Sequence, residues 1–353
     1  MGLWGVLPEE ASSVLIKVLV ASLMVGLSMP VMAEKRSVAS VDAPHKAVSK
    51  SKSVAAKKSI TRINKASHRV LSQKKLVLKR HAPRLTSLNG MPILHSSMAL
   101  VINQEDGSVI YAKRSSVRSP IASLTKLMTA MVALDASLPP DELLSITEDD
   151  VDTLKGSTSK LKVGATLSRK AMLHLALMSS ENRAASALAR TYPGSTPAFV
   201  AAMNKKARDL GMSQTHFLDS TGLNAGNLST AEDLAKMVNA SYEYAMIRQF
   251  STSQSYEVVL DDYRHPIHFG NTNALVKSDT WDIGLSKTGY ISEAGRCLVM
   301  QARIAQQPVI IVLLDSQGMH SRLGDANRLK QWIEAKSLRA GRDVAANKLA
   351  KLD

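Results

Sequence analysis

The stretch from Leu124 to Ala136 has no glycine or proline and is apolar on nearly every side. Such a run is long enough for a helix and too apolar for a surface one, so a chain that contains it must wrap it in other elements. It predicts a helix in the middle of a domain, ended by Pro139 and Pro140. One residue conflicts with burial. Lys126 sits inside this run, and a buried lysine is pushed toward its neutral form, a cost that goes with chemical work. The plainer alternative is a lysine whose ammonium snorkels to water. Ser123 falls at the N-terminus of the same helix, where free N–H groups and the positive dipole end favour a developing anion. The S-x-x-K spacing puts both residues on one helix face, about 5–6 Å apart at Cβ, so the amine reaches the hydroxyl.

The flanking pattern supplies the wrapping. Met98 to Asn103 and Val109 to Lys113 read as strands around the turn Glu105-Asp106-Gly107-Ser108. Ser168 caps a helical pattern through Met178, and Glu181 to Arg190 begins another. Ser229-Thr230-Ala231-Glu232 reads as a capping box for a further helix. Strand signals return at Ile283–Thr288, Arg296–Ile304 and Val309–Asp315, with the turn Ser292-Glu293-Ala294-Gly295 between the first two. Gly318 to Lys336 reads as a closing helix, with Leu323, Leu329, Trp332 and Ile333 as its inner stripe. These elements suit an α/β (α+β) domain with one five-stranded antiparallel sheet, helices on both faces and an all-helical insert.

Two further clusters follow Ser123 and Lys126 in order. Ser180-Glu181-Asn182 lies at a helix junction, where side chains can point into a cleft, or where Ser180 simply caps the next helix. Lys287-Thr288-Gly289 ends a strand. Serine with lysine, serine with asparagine, then lysine-threonine-glycine describes an acyl-transfer site whose serine is activated by lysines rather than by histidine and aspartate. Each piece is weak alone; the ordered set is specific. Competing chemistry has little support. His265 and His268 lack a third ligand, so no metal and no cofactor is expected. Cys297 lies in the apolar run Cys297-Leu298-Val299-Met300 and reads as a core thiol.

The N-terminal part differs in character. Lys17, the uncharged run Val18–Leu27, Pro30 and Val31-Met32-Ala33 predict a cleaved export signal over residues 1–33. That run is too short for the roughly 30 Å of hydrocarbon in a bilayer. Glu9 and Glu10 are unusual there, which fits a true start downstream of Met1. Of the net charge of +15, residues 34–84 carry +13, from 15 Lys and Arg against Glu34 and Asp42. Rich in Ser, Lys and Ala, residues 34–88 cannot bury enough to fold and read as a basic disordered linker, either a spacer or a tether to anionic envelope material. The expected division is therefore signal 1–33, linker 34–88, catalytic domain 89–337 and a short tail 338–353 with no membrane anchor. An exported, periplasmic chain has no nucleic-acid partner.

The residues resemble the low-molecular-mass penicillin-binding proteins, active-site serine DD-peptidases, over Ser96 to Lys336. The likeness rests on Pro120-Ile121-Ala122-Ser123, Lys126 to Met131, Leu175 to Ala185 and Lys287-Thr288-Gly289-Tyr290. It is strongest to the D-alanyl-D-alanine endopeptidase subgroup, since Glu181 stands where many carboxypeptidase relatives carry glycine. The resemblance implies a penicillin-recognising, β-lactamase-like fold that acts on peptidoglycan cross-links and is acylated by β-lactams. It makes Ser123 the nucleophile, Lys126 the base, Ser180 a proton relay and Asn182 an orienting group. It further implies that Lys287 and Thr288 hold a substrate carboxylate, that Gly289 leaves room for an extended substrate, and that the N–H groups of Ser123 and Tyr290 form the oxyanion hole. Carboxypeptidase activity and a non-hydrolytic penicillin sensor remain the alternatives. A β-lactamase needs a deacylating glutamate, and Glu232 and Glu243 have other assignments.

Overall fold

The computed structural model describes residues 90–260 and 265–349, the stretch 344–349 by backbone alone. The expected signal and linker lie outside these residues. The chain opens with the hairpin β1 (Ser96–Asn103) and β2 (Val109–Lys113), turned at Gly107 with φ +70°. The two-residue strand β3 (Ser119–Pro120) and a 3₁₀ turn at Ala122–Leu124 lead straight into α1 (Thr125–Asp135). β4 (Leu143–Ser145) and β5 (Thr166–Ser168) precede α2 (Arg169–Met178), α3 (Asn182–Arg190) and α4 (Ser195–Asp209). Next come β6 (Leu228–Ser229), α5 (Ala231–Tyr242), α6 (Ala245–Thr252), β7 (Ser255–Val258) and β8 (Ile267–Gly270). The last elements are β9 (Asp282–Ile291), β10 (Gly295–Ile304), β11 (Gln307–Ser316) and α7 (Ser321–Leu349).

The principal sheet has the order β2-β1-β11-β10-β9 and is antiparallel throughout, as expected. Its period-two pattern sorts β11 onto two cores. Val309, Ile311 and Leu313 pack with Ala326, Leu329 and Ile333 of α7, while Ile310, Val312 and Leu314 face the helical layer. Covered on both faces, β11 reads as an unbroken apolar run instead of an alternating one. Each such side chain contributes about 1.5–3 kcal/mol when fully buried. α1 lies at the centre of the larger core, with Leu127, Met128, Ala130 and Met131 fully buried.

Four details differ from the sequence reading. Ser137, at φ +50°, ends α1 before the prolines, its N–H returning to the carbonyl of Leu134. α5 is capped by Thr230, whose side chain accepts from Asp233 N, so no box closes on Glu232; that carboxylate accepts from Ser115 Oγ. α7 starts after Gly318 and runs on to Leu349, through most of the expected tail. The insert also contains β4–β5 and β7–β8 ladders, and β6 pairs with β3, all too short for periodicity to betray. No helix among the described residues is long and apolar enough to cross a membrane.

Candidate active site

Three elements meet at one cleft of about 410 Å³, lined by Ser123, Ser180, Asn182, Thr272, Thr288, Gly289, Tyr290, Arg296 and Arg322. Ser123 lies in the 3₁₀ turn that feeds α1, and its neighbour Ala122 adopts φ +48°. This left-handed turn is wedged in place. A Cβ on Gly222, itself at φ +83°, would come within 1.9 Å of the Ala122 carbonyl oxygen, so only glycine fits there. Asp219 fixes the Gly222 loop by accepting from the N–H groups of Thr221, Gly222 and Asn224.

Lys126 is fully buried one turn below Ser123. Its Nζ is 2.9 Å from Ser123 Oγ, 2.7 Å from Asn182 Oδ1 and 2.6 Å from the Thr221 carbonyl oxygen. Burial pushes the amine down to about 7, against the opposing pull of the Asp219 and Glu181 carboxylates. Two of its three neighbours can only accept. A neutral amine therefore spends its two N–H bonds on Asn182 and Thr221 and turns its lone pair to the Ser123 hydroxyl. The shell that holds the amine also aims it.

Ser180 sits between α2 and α3 at φ +63°, a conformation costly for a side-chain-bearing residue and concentrated at functional sites. The cap position of α3 is Glu181, so Ser180 is free of that duty. Its Oγ accepts from Lys287 Nζ at 2.8 Å. Lys287 is buried and also donates to the Thr288 carbonyl at 2.9 Å. Burial, Lys126 and Arg322 together hold its ammonium well below the usual lysine range. Lys287 thus reaches Ser180 from behind the cleft floor, while Thr288 stands in the cleft, its Oγ1 2.7 Å from Thr272 Oγ1.

Gly289 lines the cleft, and the packing behind it gives a second reason for glycine. A Cβ there would press to 3.1 Å against Ala122 Cβ, the Ile121 carbonyl and Ser123 N. Its missing side chain lets β9 close directly on the serine turn. Tyr290 follows, 58 % exposed, with the Arg296 guanidinium 4.7 Å from its ring centroid. Cys297 is buried and its thiol is pushed up to about 12 by burial, which removes it as a nucleophile. His268 faces the exposed Glu257 at 3.5 Å, and among the described residues no cluster could hold a metal ion.

A strap from Asp152 to Leu161 bridges the cleft walls. Asp152 orders it by accepting from the N–H groups of Leu154, Lys155 and Ser157. Ser157 Oγ accepts from Asn182 Nδ2 at 2.8 Å, and Ser159 Oγ donates to Glu181 at 2.6 Å. Across the cleft, Lys155 pairs with Glu293 in the β9–β10 turn.

All eight residues anticipated from the sequence meet in this region. Arg296, Arg322 and Thr272 were missed. Arg296 was within reach, because the Gly295 turn places it opposite Tyr290 in the β9–β10 hairpin. Arg322 arrives from α7 through the tertiary fold, and nothing in its local sequence marks it.

A serine facing a buried lysine of lowered proton affinity, beside the edge strand of an antiparallel sheet covered by helices on both faces, defines a serine peptidase of the penicillin-recognising class. Residues 85–318 match the family described as D-alanyl-D-alanine carboxypeptidase, and the chain belongs to that family. It is 47% identical to a D-alanyl-D-alanine endopeptidase of Pseudomonas aeruginosa over 251 residues, covering 69% of this chain and 80% of the relative. A D-alanyl-D-alanine endopeptidase of Escherichia coli is 45% identical over 243 residues, covering 69% and 78%. Penicillin-binding protein D2 of Listeria monocytogenes, in an ampicillin-bound form, superposes with a TM-score of 0.60 at 28% identity, over 68% of this chain and 97% of that one.

Proposed function

We propose that this chain is a serine DD-endopeptidase that hydrolyses D-alanyl cross-links of peptidoglycan through an acyl-enzyme, in the periplasm after removal of an export signal. The observation that carries the chemistry is the buried Lys126 Nζ held 2.9 Å from Ser123 Oγ. Lys126 takes the hydroxyl proton as Ser123 attacks the D-alanine carbonyl. The N–H groups of Ser123 and Tyr290 receive the oxyanion, each such donor being worth about 10²–10³ in rate. Ser180, hydrogen-bonded to Lys287, relays the proton held by Lys126 to the departing amine as the C–N bond breaks, so that Lys126 is neutral again. Water then attacks the ester, giving its proton to Lys126, which hands it to the Ser123 oxygen as the ester C–O bond breaks.

Thr288 and Arg322 are the cleft groups suited to the carboxylate beside the scissile bond, with Lys287 adding positive potential from beneath. β-Lactams acylate Ser123 by the same route because they present a strained amide and a carboxylate to the same groups. The endopeptidase assignment draws on the names of the two relatives and on Glu181, which holds the strap at Ser159 and stands where many carboxypeptidase relatives carry glycine. Removal of terminal D-alanine is the second reading, favoured by the family description and by a site that accepts any leaving group with an adjacent carboxylate. Digestion of cross-linked muropeptide dimers decides between them. Conversion to monomers is expected; release of D-alanine from pentapeptides with dimers left intact overturns the proposal. Ser123→Ala should abolish labelling by fluorescent penicillin without lowering the melting temperature, and persistent labelling would identify another nucleophile.

A further inference from the structure

Arg296 and Arg322 stand together at the Tyr290 end of the cleft, and no carboxylate among the described residues pairs with either guanidinium. The nearby acids are committed elsewhere: Glu293 to Lys155, and Asp315 Oδ1 to Gln317 Nε2 at 2.8 Å. Arg322 has one long contact, Nη1 to the Gly289 carbonyl at 3.5 Å, and its Nε is buried without a partner. Arg296 rests one face on the Tyr290 ring, which leaves the N–H edge of its planar fork open. The two cations repel: after burial, Arg296 is the next cause lowering the Arg322 pKa. Like charges held close without a counter-charge destabilise a free protein and are relieved when an anion binds between or beside them.

One carboxylate does not use both forks. The leaving group in removal of a terminal D-alanine carries a single carboxylate, which Thr288 and Arg322 satisfy. The leaving group in cross-link cleavage is a second stem peptide, with the carboxylate next to the released amine and further carboxylates along the chain. We infer that Arg296 is a specificity-determining residue that binds a second carboxylate on the leaving peptide and so directs the site toward cross-links. This rests on the endopeptidase reading above. Tyr290, opposite Arg296 in the hairpin, holds the guanidinium by its face, so the side chain loses little freedom when the anion binds.

Arg296→Gln, Arg296→Lys and Arg322→Gln are compared on muropeptide dimers and on pentapeptide monomers. Arg296→Gln should lose about 10- to 100-fold more in kcat/KM on dimers than on pentapeptide, the worth of one hydrogen bond to a charged group. Arg296→Lys should recover part of that loss, and Arg322→Gln should fall on both substrates alike. Equal losses for Arg296→Gln on both substrates overturn the inference. A second readout does not depend on which bond is cut. Free stem tetrapeptide should protect the wild-type cleft from fluorescent penicillin about tenfold better than the same peptide amidated at one carboxylate, and Arg296→Gln should abolish the difference. If wild-type enzyme left dimers intact, the endopeptidase reading would fall, while equal protection by both peptides would sink the role of Arg296 by itself.

Discussion

The role proposed for Lys126 needs the uncharged amine, and burial favours that state by excluding water, against the pull of the surrounding carboxylates and acceptors. The consequence is a pH dependence with a definite sign. With the amine at about 7, protonation removes the lone pair, so the acylation rate should fall as pH drops through about 7 and level off above it. After burial, the Lys126 charge is the next cause that lowers the proton affinity of Lys287, so the two titrations are linked and the measured midpoint belongs to the pair. Stopped-flow acylation by fluorescent penicillin between pH 5 and 9, with a check that the protein stays folded, reads this directly. A profile that rises toward acid would assign the base elsewhere. Lys126→Arg keeps a cation but cannot surrender its proton at these pH values, and should slow acylation about 10²–10⁴-fold. Ser180, Ala122 and Gly222 share a second residue-level trait, positive φ around the same serine. Only the glycine could have suggested this beforehand.

The serine turn is the element on which the others converge. α1 supplies its floor, the Asp219–Gly222 loop presses on it from one side and β9 closes on it from the other at Gly289. Gly222→Ala would drive a methyl group into the Ala122 carbonyl and impose an unfavourable φ. The expected result is a loss of more than about 2 kcal/mol in chemical denaturation together with reduced acylation. A variant with unchanged stability would mean that the loop yields easily. Much of this element level was legible. The buried helix, the β1–β2 hairpin and all five strands of the sheet follow from period and turn residues, because each run is long enough to show its pattern. What escaped depends on short or distant pairing. Two-residue strands such as β3 and β6 leave no periodic trace, the cap of α5 shifted by one residue to Thr230, and Arg322 enters the cleft from a helix far along the chain. The second constraint on Gly289, its close approach to the serine turn, escaped for the same reason. Which side of a strand a missing Cβ relieves depends on a neighbour remote in sequence.

For the whole molecule, charge is distributed unevenly. With +13 on residues 34–84 out of +15 overall, the catalytic part is close to neutral. Long-range attraction to anionic polymer should therefore reside in the N-terminal segment and be screened by salt within a Debye length of about 8–10 Å. Deleting residues 34–84 should weaken co-sedimentation with insoluble peptidoglycan at low salt, yet change cleavage of small soluble dimers by less than about twofold. Equal sedimentation of both forms would assign the segment a spacer role only.

β9 is the last strand of the sheet, and its outer side borders the cleft. A strand without a neighbour recruits one, and a second copy of the same protein is always at hand. One tie reaches this border, from Lys155 to Glu293 in the β9–β10 turn, while Lys160 Nζ fastens the same strap to the His268 carbonyl of β8 at 2.8 Å. A single flexible peptide can still enter where a stiff neighbouring sheet cannot. A second copy seeking to pair with β9 would thus meet the strap that is tied to the β9–β10 turn.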